Sequence, residues 1–195
     1  MPTKEPIGRR SDIFLLHDFL TAQECREWIA RSESTGYEEA AINTAGGQRI
    51  VKQVRNNDRL IWDDVALGEA WWARAREFLP PNFGLWKAIG FNERFRFYRY
   101  GPGQRFAPHR DGSFERQSDE MSWMTFMVYL NDDFVGGQTR FDLMGEPEPV
   151  VVQPRPGMAL VFMHDRLHAG DEVTRGHKYV LRTDVMYRRE PRGES

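Results

Sequence analysis

The chain has 195 residues, 40% hydrophobic and 29% charged, which suits one soluble globular core with or without an appendage. Its 27 Lys and Arg against 29 Asp and Glu give a formal net charge of −2, which argues against a nonspecific nucleic-acid binder. The single cysteine, Cys25, excludes an internal disulfide, and the lack of a leader or a membrane-length apolar run points to the cytoplasm.

Residues 1–11 are polar and read as a flexible tail, as do residues 189–195. Between them, residues 12–90 read as a helix-rich part packed on a core formed by residues 91–188, all in one domain. Asp12–His17 is a short apolar run expected as a buried strand. Thr21-Ala22-Gln23-Glu24 has capping-box spacing, with Leu20 and Cys25 placed as a hydrophobic staple. Cys25, Trp28, Ile29 and Ser32 then form one helical stripe that ends near Gly36, so Cys25 is core filler rather than a nucleophile. Residues 41–52, with Gly46-Gly47, suggest a hairpin or loop. A second helix is expected from about Asp64 to Leu79, capped by Asp63 or Asp64 and stopped by Pro80-Pro81.

From Phe91 the apolar period changes to two. Phe95, Phe97 and Arg99 alternate with Arg96, Tyr98 and Tyr100, and Gly101-Pro102-Gly103 supplies a turn. Strands are expected at Ser122–Leu130, Thr139–Phe141, Val150–Val152, Met158–Phe162 and Lys178–Tyr187, with a bulge at Gly136-Gly137. Two helices followed by about eight short strands give an α+β class, with the helices banked on one face of a cupin-like jelly roll.

The chemistry concentrates at His109-Arg110-Asp111. Side chains at i and i+2 of an extended segment share a face, which sets an imidazole beside a carboxylate, two of the three ligands of a facial iron site. The remaining histidines, His17, His164, His168 and His177, are candidates for the third. The small pair Ala169-Gly170 after His168 leaves room close to a metal and favours His168 over His164. A chelating oxo-acid with a second, buried carboxylate would need a cation. Lys178 stands on a run in which Lys178, Val180, Arg182 and Asp184 share a face, and Arg182 competes with it for that role.

Tyr100, Gly103-Gln104, His109-Arg110-Asp111, Tyr129-Leu130-Asn131, Gly136-Gly137-Gln138-Thr139, Gly157, His168 and Gly176-His177-Lys178 follow one another in order and near-spacing. In this the segment from about Phe91 to Tyr187 resembles the prolyl 4-hydroxylase-like group of Fe(II)/2-oxoglutarate oxygenases. The resemblance implies a double-stranded β-helix core. It implies His109, Asp111 and His168 as iron ligands, Lys178 on the distal carboxylate of 2-oxoglutarate, and Tyr100 hydrogen-bonding near it, with Tyr98 as second choice. It implies Fe(II), 2-oxoglutarate and O2 as the reaction's requirements, with ascorbate in support, and hydroxylation of an aliphatic carbon with release of succinate and CO2. Related halogenases have a small residue where this chain has Asp111, so hydroxylation is the expected outcome.

The substrate is expected to be a prolyl residue, a free amino acid or another small metabolite, with no nucleic-acid or membrane partner. Arg55, Asn57, Arg59, Phe114, Arg116 and Trp123 are the candidates to line the mouth, because loops carry specificity on such scaffolds. The rival readings are a non-oxidative, cupin-like metal protein, which leaves Lys178 without a role, and a noncatalytic sensing or interaction domain.

Overall fold

The computed structural model describes residues 1–8, 12–40, 42–44, 47–49 and 55–191. Period-two alternation on long strands generates its two layers. Along the strand Lys178–Arg189, Tyr179, Leu181, Val185 and Tyr187 turn toward the helices, while Lys178, Val180 and Arg182 turn to the other face. Arg94–Tyr100 does the same, with Phe95 and Phe97 on the helix side and Tyr98 and Tyr100 opposite. On Glu120–Tyr129, Met124, Phe126 and Val128 face the helices, and Thr125 and Met127 the interior.

Among the described residues these strands belong to an 11-stranded antiparallel sheet. Its main path runs Thr3–Pro6, Ile13–His17, Ala159–Met163, Glu120–Tyr129, Lys178–Arg189, Arg94–Tyr100, Asp58–Asp63 and Glu38–Glu39. Facing its interior side is a four-stranded sheet ordered Phe106–His109, His168–Gly170, Thr139–Phe141, Val150–Val152. One apolar cluster fills the gap between the sheets, with Tyr129, Phe141, Leu160 and Phe162 fully or almost fully buried. A second lies between the large sheet and the helices. Two facing antiparallel sheets with helices on one outer face are the expected helix-backed jelly roll.

Helix α1, Ala22–Thr35, forms as its cap dictates: the Glu24 N–H donates to Thr21 Oγ1 at 3.1 Å and the Thr21 N–H to Glu24 Oε2 at 2.7 Å. Cys25 and Ser32 are buried, and burial pushes the Cys25 thiol up to about 11, the condition of an unreactive core thiol. Helix α2, Val65–Ala75, is capped by Asp64 and shorter than the sequence suggests; past Arg76 the Phe78 N–H reaches back only to Ala75 O and the chain turns before Pro80. Trp71 is the keystone of the helix layer, meeting Phe19, Phe91, Phe95 and Phe126 with ring centroids 5.1–6.5 Å apart. Trp71→Ala should lower unfolding free energy by about 3–5 kcal/mol, read as a lower urea midpoint at unchanged slope.

Three expectations need correction. Thr3–Pro6, inside the expected tail, is an edge strand on Ile13–His17, with the Lys4 ammonium 3.8 Å from the Phe14 ring centroid. The open edge of Ile13–His17 offers unpaired backbone groups, and polar side chains on one exposed side do not prevent pairing. Residues 12–90 supply strands to the main sheet as well as helices, so they build the core rather than only cover it. The last strand runs through Arg189, whose N–H donates to Asp119 O at 2.7 Å. The expected hairpin appears as Ile42–Thr44 paired with Gly47–Arg49, while Gly46 lies outside the described residues.

Candidate metal and cosubstrate site

The two sheets meet over a cleft of about 430 Å³, open mouth included, lined by residues of both. His109 closes the strand Phe106–His109 and sits directly across from His168 in register, which brings the imidazole centroids to 4.2 Å. Asp111 lies just past the strand, where its N–H donates to His164 O at 2.9 Å. One ligand atom from each of His109, Asp111 and His168 falls within 4.8 Å of the other two. Both imidazoles turn Nδ1 to the carbonyl two residues back, Ala107 O at 2.8 Å and Arg166 O at 2.9 Å. A proton on Nδ1 donates there and leaves Nε2 with its lone pair toward Asp111. Burial pushes His168 down to about 4, against the pull of Asp111, so it is neutral, as a metal ligand must be. Two neutral nitrogens and one carboxylate on one side of a cleft suit Fe(II).

Asp111 is held from behind. Arg182 Nη1 donates to its Oδ1 at 2.7 Å, and Thr125 Oγ1 to its Oδ2 at 2.6 Å. Against the opposing effect of burial, chiefly the Arg182 guanidinium keeps this carboxyl well below the usual range. A carboxylate has about four lone-pair directions, so both contacts leave room for a metal. Arg182 also bonds Asp184, which Arg96 pairs from its other oxygen. His164, the rejected alternative ligand, stands one layer back: its Nδ1 is 3.1 Å from Thr125 Oγ1 and its Nε2 2.9 Å from Ser122 Oγ. Thr125→Val should weaken Fe(II) binding about 10- to 100-fold by freeing the ligand carboxylate to rotate, measured by anaerobic competition with a chelator.

Lys178 marks the other end of the cleft. Its ammonium is 4% exposed at the residue level and donates to Gly137 O at 2.6 Å, but forms no ion pair with a carboxylate among the described residues. Burial pushes it down to about 7. It lies 5.4 Å from the Tyr100 ring centroid and 5.3 Å from that of Tyr129. Tyr129 and Thr139, which belong to the family pattern but have no role in the expected site, share a 2.6 Å hydroxyl contact beside it. Tyr129 follows Thr125 and Met127 at period two, the signal that would have found it. Gly137 has φ +70°, and a Cβ there would come within 3.2 Å of the Lys178 side chain. A buried, unpaired cation beside hydroxyl groups is a receptor for a ligand carboxylate. Because Arg182 is committed to Asp111 and Asp184, Lys178 rather than Arg182 is free for that task.

The remaining candidates divide. Tyr98 and Tyr100 line the cleft. Arg55 packs on its aromatic wall and is held by buried Asn57, whose Oδ1 accepts from Arg55 Nε at 2.6 Å; Arg59 pairs in register with Tyr98. None of the six expected mouth residues, Arg55, Asn57, Arg59, Phe114, Arg116 and Trp123, is among the residues that line it. Arg116 is neutralised by Glu93 and Glu120. Trp123 faces the helix-side layer and stacks on Phe83 at 5.6 Å, because the register shift between Ser122 and Met124 re-aims this stretch. His17 is bound by Glu5, away from the cleft.

Residues 95–183 match the 2OG-Fe(II) oxygenase superfamily. Prolyl 4-hydroxylase 1 of Arabidopsis thaliana is 26% identical over 194 residues, covering 86% of this chain and 66% of its own length. Probable prolyl 4-hydroxylase 8 of the same plant is 24% identical, covering 90% of this chain and 68% of its own. This chain therefore spans about two thirds of the length of these relatives. The viral collagen prolyl hydroxylase of Paramecium Bursaria Chlorella virus-1, solved as a 2OG complex, aligns with a TM-score of 0.66 at 20% identity over 91% of this chain and 96% of its own. A prolyl hydroxylase from Trichoplax adhaerens, solved with a hypoxia inducible factor peptide fragment, aligns with a TM-score of 0.71 at 15% identity over 90% of this chain and 83% of its own. These structural likenesses establish the shared fold.

Proposed function

We propose that the chain is a 2OG-Fe(II) oxygenase of the prolyl 4-hydroxylase-like kind, which hydroxylates an aliphatic carbon of a prolyl residue, free amino acid or small metabolite. Succinate and CO2 are the expected coproducts. The observation that carries this reading is the placement of Lys178, buried and without an acid partner among the described residues, in the same cleft as His109, Asp111 and His168. Held there, Fe(II) and 2-oxoglutarate would activate O2, the oxidant for C–H hydroxylation, with one oxygen atom going to the substrate and the other to succinate as 2-oxoglutarate loses CO2.

The chain's own residues then have distinct tasks. His109, Asp111 and His168 hold the metal from one side and leave the other open. Thr125 and Arg182 fix the carboxylate ligand. Lys178 binds and orients the distal carboxylate, and Phe106, Met127, Phe162 and Val180 form apolar walls that exclude water. Cys25, the single thiol, is buried and takes no part. No helix of the described residues is long and apolar enough to cross a membrane.

Anaerobic titration with Fe(II) and 2-oxoglutarate tests the reading. The weak visible charge-transfer band of the chelated pair should appear and should vanish in His109→Ala. Tight zinc binding without that band would favour non-oxidative chemistry. Succinate release across proline peptides, free amino acids and small acids then identifies the substrate.

A further inference from the structure

His164, set aside above as a metal ligand, is buried on the turn that follows the strand Ala159–Met163. Both its ring nitrogens face hydroxyl oxygens, Nδ1 toward Thr125 Oγ1 at 3.1 Å and Nε2 toward Ser122 Oγ at 2.9 Å. Thr125 and Ser122 are themselves buried. Among the described residues no carboxylate pairs with this ring. A buried imidazolium without an acid partner is costly, so the ring is neutral and carries one proton.

The neighbours decide which nitrogen carries that proton. Thr125 Oγ1 has a single hydrogen, and at 2.6 Å from Asp111 Oδ2 it goes to the carboxylate, which can only accept. Thr125 Oγ1 therefore accepts from His164, and the ring proton is on Nδ1. On the other side, the Phe114 N–H donates to Ser122 Oγ at 2.8 Å, and the Ser122 hydrogen meets the bare Nε2. Donation thus runs in one direction, from the backbone of Phe114 to the carboxylate of Asp111. Each link polarises the next, which strengthens the last donor, the Thr125 hydroxyl on Asp111.

The same residue also holds the backbone. Its carbonyl accepts the Asp111 N–H at 2.9 Å, and its own N–H donates to Trp123 O at 3.0 Å. Beside it, the Arg110 guanidinium donates to Asp165 O. The segment from Asp111 to Phe114 is therefore tied at its first residue by the His164 carbonyl and at its last, through Ser122, by the His164 ring. Phe114 and Ser122 pair twice, since the Ser122 N–H also donates to Phe114 O at 2.8 Å. An apolar side chain in place of His164 would keep the backbone bonds but leave two buried hydroxyls each short of a partner.

We infer that His164 is a positioning residue: its neutral Nδ1–H tautomer orients the Thr125 hydroxyl, which in turn fixes the rotation of the Asp111 carboxylate for the metal. This rests on the metal reading of His109, Asp111 and His168 and extends it past the residues that would touch the ion. His164 makes no bond to the metal, because both its nitrogens are already engaged.

Two measurements test it. In the metal-free protein, nitrogen NMR of the histidine rings should show His164 with Nδ1 protonated and Nε2 bare, its signals identified by their loss in His164→Asn. An Nε2–H tautomer or an imidazolium at neutral pH overturns the inference. Anaerobic competition with a chelator then gives Fe(II) affinity across a set of variants. His164→Leu should weaken binding about 10- to 100-fold, the range for a partner that orients a metal ligand. The double variant His164→Leu with Thr125→Val should bind no more than about threefold weaker than Thr125→Val alone, because both cut one path. His164→Asn, whose amide nitrogen can donate to Thr125 in place of Nδ1, should bind within about threefold of the unaltered protein. Additive losses in the double variant overturn the inference, since His164 then acts on its own, and so does a His164→Asn protein that binds as weakly as His164→Leu. Should His164→Leu fail to fold, His164→Gln takes its place, reaching Ser122 but not Thr125, with the same losses expected and normal Fe(II) binding overturning the idea. Lack of Fe(II) binding by the unaltered protein defeats the metal reading and the inference with it, a result distinct from tight binding that the His164 variants leave undisturbed.

Discussion

Asp111→Ala should lower Fe(II) affinity by more than about 100-fold, beyond what loss of an outer-shell contact costs. Asp111 is the only anionic ligand of the three candidates, so its removal takes away a donor and the charge that attracts the cation. It also strips Arg182 of one of its two carboxylates, leaving a buried guanidinium to repel a divalent ion. The substitution therefore changes the sign of the local field as well as the ligand count. Anaerobic competition against a chelator gives the metal affinity, and Co(II) gives a spectroscopic check on coordination. A change smaller than threefold would remove Asp111 from the ligand set. The unfolding midpoint of the metal-free variant should fall as well, through Arg182. The pH dependence has a definite sign. The folded-state carboxyl lies well below its ordinary value of 3.8, so its stabilisation is present above that value and is lost as pH falls toward the depressed one.

Lys178→Ala should weaken 2-oxoglutarate binding by about 100-fold or more while leaving Fe(II) affinity within about threefold, because a buried carboxylate loses its only counter-charge. Calorimetric titration of the iron-loaded protein measures it. Unchanged cosubstrate affinity with lost iron would refute the assignment. The pH profile is equally specific. Burial lowers this amine from 10.5 to about 7, so the ammonium that receives a carboxylate is present below that pH. Above it, binding must take up a proton, and the dissociation constant should rise toward tenfold per pH unit until the carboxylate-raised value is reached. The metal-free, ligand-free fold responds oppositely. Between about 7 and 10.5 the unfolded chain binds the extra proton, so Lys178 makes stability rise with pH. Falling cosubstrate affinity alongside rising apo stability, both absent in Lys178→Ala, would be the signature of this one side chain.

Much of the site is legible along the chain because its parts sit on short, regular pieces of backbone. The i, i+2 spacing of His109 and Asp111 put both on one side, although the structure places Asp111 just beyond the strand and fixes it through His164 O. Alternation on Lys178–Arg189 placed Lys178 and Arg182 on one face. It did not say which of them is free, since that depends on Asp111 and Asp184 having already claimed Arg182. The same limit explains Trp123, Phe114 and Arg116. Each lies near the ligands in sequence, yet a register shift and two glutamates direct Trp123 and Arg116 away from the cleft.

Local sequence specifies the elements and their faces: the Thr21 cap, the helical stripe of α1, the period-two strands, and the side chains offered at His109, Asp111, His168 and Lys178 as candidate metal donors and cation. Backbone periodicity and short-range capping are local physics, and a single chain segment contains all the atoms involved. Which faces meet is set by tertiary packing. Register between strands far apart in sequence sets His168 against His109, Thr125 behind Asp111, and Tyr129 with Thr139 beside Lys178. Among the described residues it also leaves the Arg55 Nη2 buried without a hydrogen-bond partner, a fact about its surroundings rather than about Arg55 itself. Charge balance in a low-dielectric interior is a property of the assembled neighbourhood, so no reading of one segment supplies it.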